Sequence, residues 1–239
     1  MKKGLLLLVL FTALIAACEE RIAEPDPKVM GYDYYPLEQG NYRIYNVTDI
    51  RFQSNKGDTS RFQMRELVDT SYYDQTNTLT YKVVRAIRAD ATKPWVEDSV
   101  ITVVKTNGSV LLTQNNTKYV KLVFPVKENK TWAGDAFNNR FINVDEKEPY
   151  TYKNVGESYT VNGQTFDKTA TVVHGYPTNN LVQLDDRKEV YAEGVGRIYR
   201  LYNKVIYCNE TESVDCNFGE NYKLYGHERH EELVSYGKE

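Results

Sequence analysis

The sequence has few of the residues that most often carry chemistry. Of its 239 residues, three are cysteine, three are histidine and two are tryptophan. It also lacks an excess of either charge, because 30 lysine and arginine residues stand against 33 aspartate and glutamate residues, a formal charge of −3. Without a basic excess the chain is a poor binder of nucleic acid, and we exclude that class of partner. An apolar content of 41% is ordinary for a folded domain and argues against intrinsic disorder.

A short apolar run at the N-terminus is the most specific signal in the chain. Residues 4–17 are apolar or small and follow two lysines, but these 14 residues are too few for a spanning helix, which needs about 20. The run predicts a secretory signal peptide. Its end, Ile15-Ala16-Ala17-Cys18, resembles the bacterial lipobox, which implies removal of residues 1–17 and acylation of Cys18. A plain signal peptidase site is the alternative, although it would leave a reactive exposed thiol.

Residues 18–30 are predicted to form an acidic tether. They are polar, contain two prolines, show no periodicity, and begin with Glu19 and Glu20 directly after the lipid-acceptor cysteine. Acidic residues at that place resemble the export signal of cell-surface lipoproteins of the Bacteroidota; the alternative is that they are only solvated. We expect acyl chains, palmitate among them, to hold the protein at the outer membrane, on its surface or on its periplasmic face.

Two cysteines remain once Cys18 is acylated. In an oxidising compartment an even pair predicts a disulfide, here between Cys208 and Cys216. The residues between them are polar and turn-like, so we expect the bond to close a loop between two strands, with Cα atoms within about 7 Å. Closing such a loop stabilises a fold by about 2–3 kcal/mol. A zinc site is the alternative, but it would need more ligands, and no Cys-x-x-Cys pair occurs.

Beyond residue 30 the sequence is a succession of strand-like segments. Residues 41–47, 61–68 and 79–88 alternate apolar and polar positions, the period of a strand with one buried face. Turn-forming residues separate the segments, and two of these turns contain Asn-Gly, a strong hairpin signal. We predict one all-β domain over residues 31–239, an antiparallel barrel-like or strongly curved up-and-down sheet that includes lipocalin-like barrels. A two-sheet sandwich is the alternative.

Two segments resemble those of uncharacterised lipid-anchored lipoproteins of the Bacteroidota. Residues 34–45 contain the aromatic-Pro-Leu sequence, the glycine and the aromatic-rich first strand with which their mature domains begin. Residues 190–198 resemble their late strand-turn-strand. The resemblance implies a secreted β domain on a lipid anchor and carries over no known chemistry.

Motifs for catalysis and cofactor binding are missing from the sequence. It contains no nucleophile elbow, zinc-protease helix, P-loop or EF-hand pattern. Gly194-Val195-Gly196 lacks the third glycine of a dinucleotide loop, so a strand turn or bulge is predicted there. Asp185 and Asp186 are predicted to lie in a solvated turn, with a hydrolytic carboxylate pair as the alternative. Most other carboxylates fall in turns or on the polar side of strands, where we expect them to be ordinary and ionised.

One charged segment near the C-terminus has ligand chemistry. On a helix, His227, His230 and Glu231 would share a face suited to zinc. The alternating charges of residues 227–232 favour an ordinary solvated face instead. We therefore expect no metal, no cofactor and no enzymatic activity.

Aromatic residues are the remaining candidates for a ligand-binding surface. Tyr72, Tyr73, Trp95 and Trp132 follow strands or lie in loop-like contexts, and such side chains suit sugar or peptide surfaces. Structural roles are the alternative, with the two tryptophans filling the barrel ends. The favoured function is a non-catalytic binding or structural lipoprotein that meets a glycan, peptide or envelope component through its loops. The alternative is a carrier of a small apolar ligand inside a lipocalin-like barrel.

Overall fold

The computed structural model describes residues 26–138, 147–209 and 216–239. The predicted signal peptide and Cys18 lie outside these residues, as does most of the predicted tether. The end of that tether is a one-turn helix, α1 (Pro27–Met30), capped by Asp26 and ended by Gly31 in the left-handed conformation. A 3-10 turn follows at Tyr32–Tyr34. No helix among the described residues is long and apolar enough to cross a membrane.

Thirteen strands account for nearly all the remaining regular structure that is described. Their bounds are β1 (Asn41–Gln53), β2 (Lys56–Tyr73), β3 (Leu79–Arg88), β4 (Val96–Lys105), β5 (Ser109–Gln114), β6 (Thr117–Val123), β7 (Thr131–Ala133), β8 (Pro149–Val161), β9 (Gln164–His174), β10 (Thr178–Asn179), β11 (Gln183–Ala192), β12 (Gly196–Cys208) and β13 (Gly219–Lys238). The three segments with the clearest period-two alternation lie within β1, β2 and β3.

The strands form one antiparallel sheet in the order β6-β5-β4-β3-β2-β1-β13-β12-β11-β9-β8-β7, with the short β10 paired to β11. Most successive strands are therefore neighbours, and the first strand pairs with the last, from Asn41 opposite Lys238 to Gln53 opposite Tyr225. The two ends of the sheet are β6 and β7, which follow one another in the chain. The prediction of an all-β, up-and-down, barrel-like fold is confirmed, and the sandwich alternative is wrong.

Side chains and one backbone bond bring the two ends of the sheet together. The Val120 amide donates to the Gly134 carbonyl at 2.8 Å, and the Trp132 indole donates to the Val120 carbonyl at 2.8 Å. The Tyr152 hydroxyl accepts from the Val123 amide and donates to the Val123 carbonyl, both at 3.0 Å. These bonds occupy backbone groups of β6 that an open edge would leave free.

We expect Tyr152→Phe to weaken this seam. The substitution keeps the ring but removes the hydroxyl, which leaves the Val123 amide and carbonyl without that partner, at a cost of about 1–3 kcal/mol in the free energy of unfolding. Urea unfolding measures the change. Tyr73→Phe is the control, because Tyr73 is 67% exposed at the end of β2. Equal stability of the two variants would contradict the role assigned to the hydroxyl.

Three local predictions are resolved by the fold. Cys208 and Cys216 form a disulfide with Cα atoms 6.1 Å apart, as expected. Gly194 and Gly196 have φ angles of 76° and 94° in the β11–β12 turn, so the segment is a strand turn. The predicted solvated turn at Asp185 is wrong, because β11 continues through it and Asp185 pairs opposite Lys204 of β12.

Candidate functional site

Charged side chains occupy the buried face of several strands. On β1, Arg43 shares a face with the buried Tyr45 and Val47, and on β2 Glu66 lies between the buried Met64 and Val68. The expectation that carboxylates lie on water-facing sides of strands is therefore wrong for a central set. Eight charged or titratable residues of this set are less than 10% exposed, and a ninth, Arg200, has a side chain that is 29% exposed. The eight are Arg43, Glu66, Arg85, Lys121, His174, Glu189, Arg197 and Glu231.

Arg197 is the centre of this buried ionic cluster. Its guanidinium nitrogens lie 3.1 Å from Glu66 Oε1, 2.8 Å from Glu231 Oε2 and 3.5 Å from Glu189 Oε1. Glu66 also accepts two hydrogen bonds from Arg85, at 2.7 and 3.0 Å. One arginine thus links carboxylates from three strands, β2, β11 and β13.

A β-bulge between β11 and β12 makes this arrangement possible. Arg197 and Arg200 are three residues apart, and a regular strand would place them on opposite faces. The register slips here, so that Tyr191 pairs with Arg197 while Val190 pairs with Tyr199. The extra residue, Ile198, lets both arginines reach Glu189 on the same face, at 3.5 and 3.6 Å.

Glu189 has a second group of neighbours, from its own strand, from β9 and from β6. Lys121 Nζ lies 2.6 Å from Glu189 Oε2, and the Tyr191 hydroxyl donates to the same oxygen at 2.6 Å. His174 Nε2 lies 3.7 Å away, too far for a hydrogen bond. The His174 ring instead stacks on Tyr150, with ring centres 3.9 Å apart.

The surrounding cations keep the buried carboxylates ionised. Burial alone would raise the pKa of Glu66, but Arg197, Arg85 and Arg43 outweigh it and lower the pKa to about 2. The pKa values of Glu189 and Glu231 are also lowered against the effect of burial. Lys121, Arg197 and Arg200 lower the pKa of Glu189, and Arg197, Arg200 and Arg229 lower that of Glu231. For His174, burial is the main cause and holds the pKa well below its usual value. At neutral pH the cluster therefore combines ionised carboxylates with a neutral imidazole.

A cavity of about 310 Å³ lies against this cluster. That volume is at the lower end of the range for small-molecule sites, about 300–1,000 Å³. Its wall is strongly polar, with five cationic side chains and two carboxylates. The lining comprises Arg85, Leu112, Gln114, Tyr119, Lys121, Glu148, Tyr150, His174, Arg187, Glu189, Arg197, Arg200 and Tyr202.

Ion pairs lie on the wall that the cavity shares with a wider groove. Arg187 lines both spaces, and its guanidinium binds Glu148 and also donates to Asp185 at 2.8 Å. The groove, of about 510 Å³, shares Tyr119, Glu148 and Arg187 with the cavity. Asp185, expected in a solvated turn, is thus part of the polar boundary of the barrel interior.

The aromatic candidates from the sequence do not form one surface. Tyr72 and Tyr73 are exposed at the end of β2. The guanidinium groups of Arg65 and Arg88 lie over the Trp95 ring. Arg65 precedes Tyr72 by seven residues on β2, so Trp95 and the two exposed tyrosines are about 23 Å apart along the strand.

Trp132, the fourth aromatic candidate, belongs to the sheet closure. Its ring centre lies 4.6 Å from that of Tyr152 and 6.1 Å from that of Tyr150. Its indole N–H is bound to the Val120 carbonyl. The side chain therefore joins the two ends of the sheet and is only partly available to a ligand.

The charged segment near the C-terminus is a strand, which separates its two histidines. Within β13, His227 faces Asp49, with Nε2 3.0 Å from Oδ2, whereas His230 Nε2 lies 2.9 Å from Glu228 Oε1. Alternation places His227 and His230 on opposite faces, so the helical arrangement considered for zinc is wrong. Among residues 26–138, 147–209 and 216–239, no group of three or more His, Cys, Asp or Glu side chains is placed to hold a metal ion.

The sequence missed the buried cluster, although part of its signal was present. Arg43 and Glu66 each stand two residues from large apolar residues, on the face that the period assigns to the core. Arg200 gave no such signal, because its orientation depends on the bulge at Ile198.

Comparison with known proteins gives two remote structural similarities. One is to a protein from Bacteroides fragilis that is provisionally described as exported and has a YmcC-like fold. It is 12% identical to this chain, with a TM-score of 0.38 over 85% of this chain and 98% of that one. A protein from Parabacteroides distasonis, provisionally described as a lipoprotein, is 14% identical, with a TM-score of 0.36 over 84% of this chain and 98% of that one. At TM-scores this low, neither structure bears on the function.

No protein-family profile matches the sequence, and no curated protein matches it. The function therefore has to be argued from the site itself.

Proposed function

We propose that this chain is a lipid-anchored, non-catalytic protein of the bacterial outer membrane that binds a small polar ligand inside its barrel. The observation that carries the proposal is the cavity of about 310 Å³, whose wall is built from charged side chains of the buried ionic cluster. Burying so many charges costs free energy that apolar residues of similar size would not cost. A ligand that uses these groups gives a reason for keeping them.

The polar wall bears on the small apolar ligand that the sequence analysis gave as the alternative occupant of the barrel. A carrier of apolar molecules needs a mainly apolar pocket with a few polar groups. Leu112 is the only aliphatic side chain among the residues that line this cavity. The site therefore favours a polar ligand over an apolar one.

The charge states of the cluster support binding rather than catalysis. General acid catalysis needs a carboxyl group whose pKa lies near the working pH. The Arg197, Arg85 and Arg43 side chains hold the pKa of Glu66 at about 2, and the pKa of Glu189 is likewise lowered. These groups are held in one charge state, which suits recognition of a fixed ligand charge.

The anchor is tested by Cys18→Ser. We expect the wild-type chain to begin at an acylated Cys18 and to fractionate with membranes. The variant should keep its signal peptide or be released in soluble form after another cleavage. Mass spectrometry of the N-terminal peptide measures the modification, and an unmodified Cys18 in the wild-type protein would contradict the anchor.

Ligand binding is tested by filling the cavity without changing its charges. Leu112→Trp adds bulk at a buried position of the cavity wall on β5. Leu111→Trp is the matched control, because alternation directs the neighbouring, half-buried side chain to the other face of the strand. Some small polar metabolites are expected to raise the melting temperature of the wild type. We expect the same metabolites to raise the melting temperature of Leu111→Trp but not that of Leu112→Trp.

Two results would count against binding in the barrel. One is that no small polar molecule raises the melting temperature of the wild-type protein. The other is that the same molecules stabilise both tryptophan variants equally. A double variant, Tyr72→Ser with Tyr73→Ser, separates barrel binding from binding at the exposed tyrosines, and we expect it to keep the wild-type response.

A further inference from the structure

We propose that the cavity binds a small anion that carries carboxylate or phosphate groups. This inference rests on the proposed function, because it names the ligand class of the same site. The charges of the cavity wall and a buried nitrogen without a partner among the described residues support it.

The charge balance of the wall favours an anion. Glu148 and Glu189 are the two carboxylates that line the cavity. Five cations line it: Arg85, Lys121, Arg187, Arg197 and Arg200. The whole sequence has the opposite balance, with a formal charge of −3, so the cavity concentrates positive charge inside an acidic protein.

Carboxylates behind the wall reduce this excess without removing it. Glu66 and Glu231 bind Arg197, and Asp185 binds Arg187. Two cations behind the wall act on these carboxylates in turn: Arg43 lies beside Glu66, and Arg229 pairs with Glu231 and with Asp49. With all of these included, seven cations still stand against six carboxylates. A ligand in the cavity is closest to the lining groups, and Coulomb energy falls with distance, so the five lining cations weigh most.

His174 adds a neutral hydrogen-bonding group to the wall. The residue is 8% exposed, and Nε2 has no hydrogen-bond partner among the described residues. A buried polar atom without a partner costs free energy, which a bound ligand atom that pairs with it would offset. Since Tyr150 stacks on the ring, the imidazole is held in one orientation beside the cavity.

Arginine and lysine together match the geometry of oxyanions. Guanidinium groups can bind carboxylate or phosphate oxygens with two parallel hydrogen bonds, and lysine supplies a compact charge. Arg200 binds Glu231 through one nitrogen at 2.9 Å and lies beside the cavity with its side chain 29% exposed. Lys121 reaches the cavity from the opposite half of the sheet, on β6.

Gln114→Glu tests the charge requirement with little disturbance of the fold. Gln114 lines the cavity, and its Oε1 accepts a hydrogen bond from Arg85 at 2.9 Å, which a glutamate oxygen can also accept. Gln63→Glu is the matched control, because Gln63 accepts from Arg88 at 2.9 Å but does not line the cavity. Both variants add one negative charge to an arginine-bound position.

Calorimetric titration of the purified full chain in detergent, at constant ionic strength, measures the binding. The probes are citrate for the carboxylate class and inorganic phosphate for the phosphate class, with neutral glucose and cationic spermidine as comparisons. We expect at least one anion to bind the wild type and Gln63→Glu alike. We expect Gln114→Glu to lower that affinity by about ten-fold or more and Leu112→Trp to abolish it.

The outcomes separate this inference from the proposed function. Binding of glucose or spermidine, lost in Leu112→Trp, would keep the barrel as a ligand site and overturn the anion assignment. Anion binding that is equal in the wild type, Gln114→Glu and Leu112→Trp would place the anion elsewhere and overturn the inference. The absence of binding by every probe would also overturn it, and the wider metabolite screen then decides on the proposed function.

Discussion

Arg197→Met is expected to destabilise the protein by about 3–5 kcal/mol, the typical cost of removing one partner from a buried ion pair. The guanidinium lies 3.1 Å from Glu66, 2.8 Å from Glu231 and 3.5 Å from Glu189, and all three carboxylates are buried. Methionine fills similar space but leaves these charges without their shared cation. Urea unfolding measures the loss.

Arg51→Met is the matched control for this substitution. Arg51 lies 3.2 Å from Asp49, but its side chain is 65% exposed, and exposed pairs contribute about 0–1 kcal/mol. If Arg197→Met fails to fold, Arg197→Met with Glu66→Gln removes one stranded charge and should recover folded protein. Equal losses in the two single arginine variants would contradict the central role of Arg197.

Acid is expected to remove most of the stability between about pH 4.5 and pH 2. The Arg197, Arg85 and Arg43 side chains lower the pKa of Glu66 to about 2 in the folded protein, from about 4.5 in the unfolded chain, although burial acts in the other direction. In this window the unfolded chain binds more protons than the folded protein does, so the free energy of unfolding falls as pH falls. For Glu66 alone the loss is about 3 kcal/mol. Glu189 and Glu231 act in the same direction.

The buried His174 makes the loss of stability begin at a higher pH than the carboxylates alone would. Burial holds the pKa of His174 well below 6.5 in the folded state, so the unfolded chain takes up a proton first as pH falls below about 6.5. Urea unfolding followed from pH 7 to pH 2 measures both parts of the profile. We expect His174→Gln to reduce the upper part, to which His227 also contributes because burial lowers its pKa as well, and Glu66→Gln to flatten the lower part. A wild-type stability that is constant down to pH 3 would contradict the account.

The sequence predicts the barrel well because strand pairing follows local patterns. Residues 41–47, 61–68 and 79–88 alternate as half-buried strands do, and turn residues mark their ends. Chain order alone then favours an up-and-down sheet, since consecutive strands are usually neighbours. Closure by Trp132 and Tyr152 was beyond prediction, because it depends on two side chains that reach the backbone of β6.

The candidate site is harder to predict because its residues come from distant strands. Arg43 and Glu66 could have been assigned to the core from their positions beside Tyr45 and Met64, but charge alone suggested water. His227 and His230 were considered on a helix, whereas pairing of β13 with β1 and β12 fixes an extended strand. Tertiary pairing here outweighs the helical spacing that the sequence allowed.

A pair of crystal structures of the protein, one with citrate and one with inorganic phosphate, tests the central claim that the cavity binds an anion most directly. The account predicts an ordered anion inside the cavity of about 310 Å³, with its oxygens within hydrogen-bond distance of Arg200 or Lys121 and of His174 Nε2. The same crystals of Leu112→Trp should lack it. A cavity that holds only water in both structures, with the anions bound at the barrel surface or nowhere, would contradict the claim that the cavity beside the buried ionic cluster binds an anion.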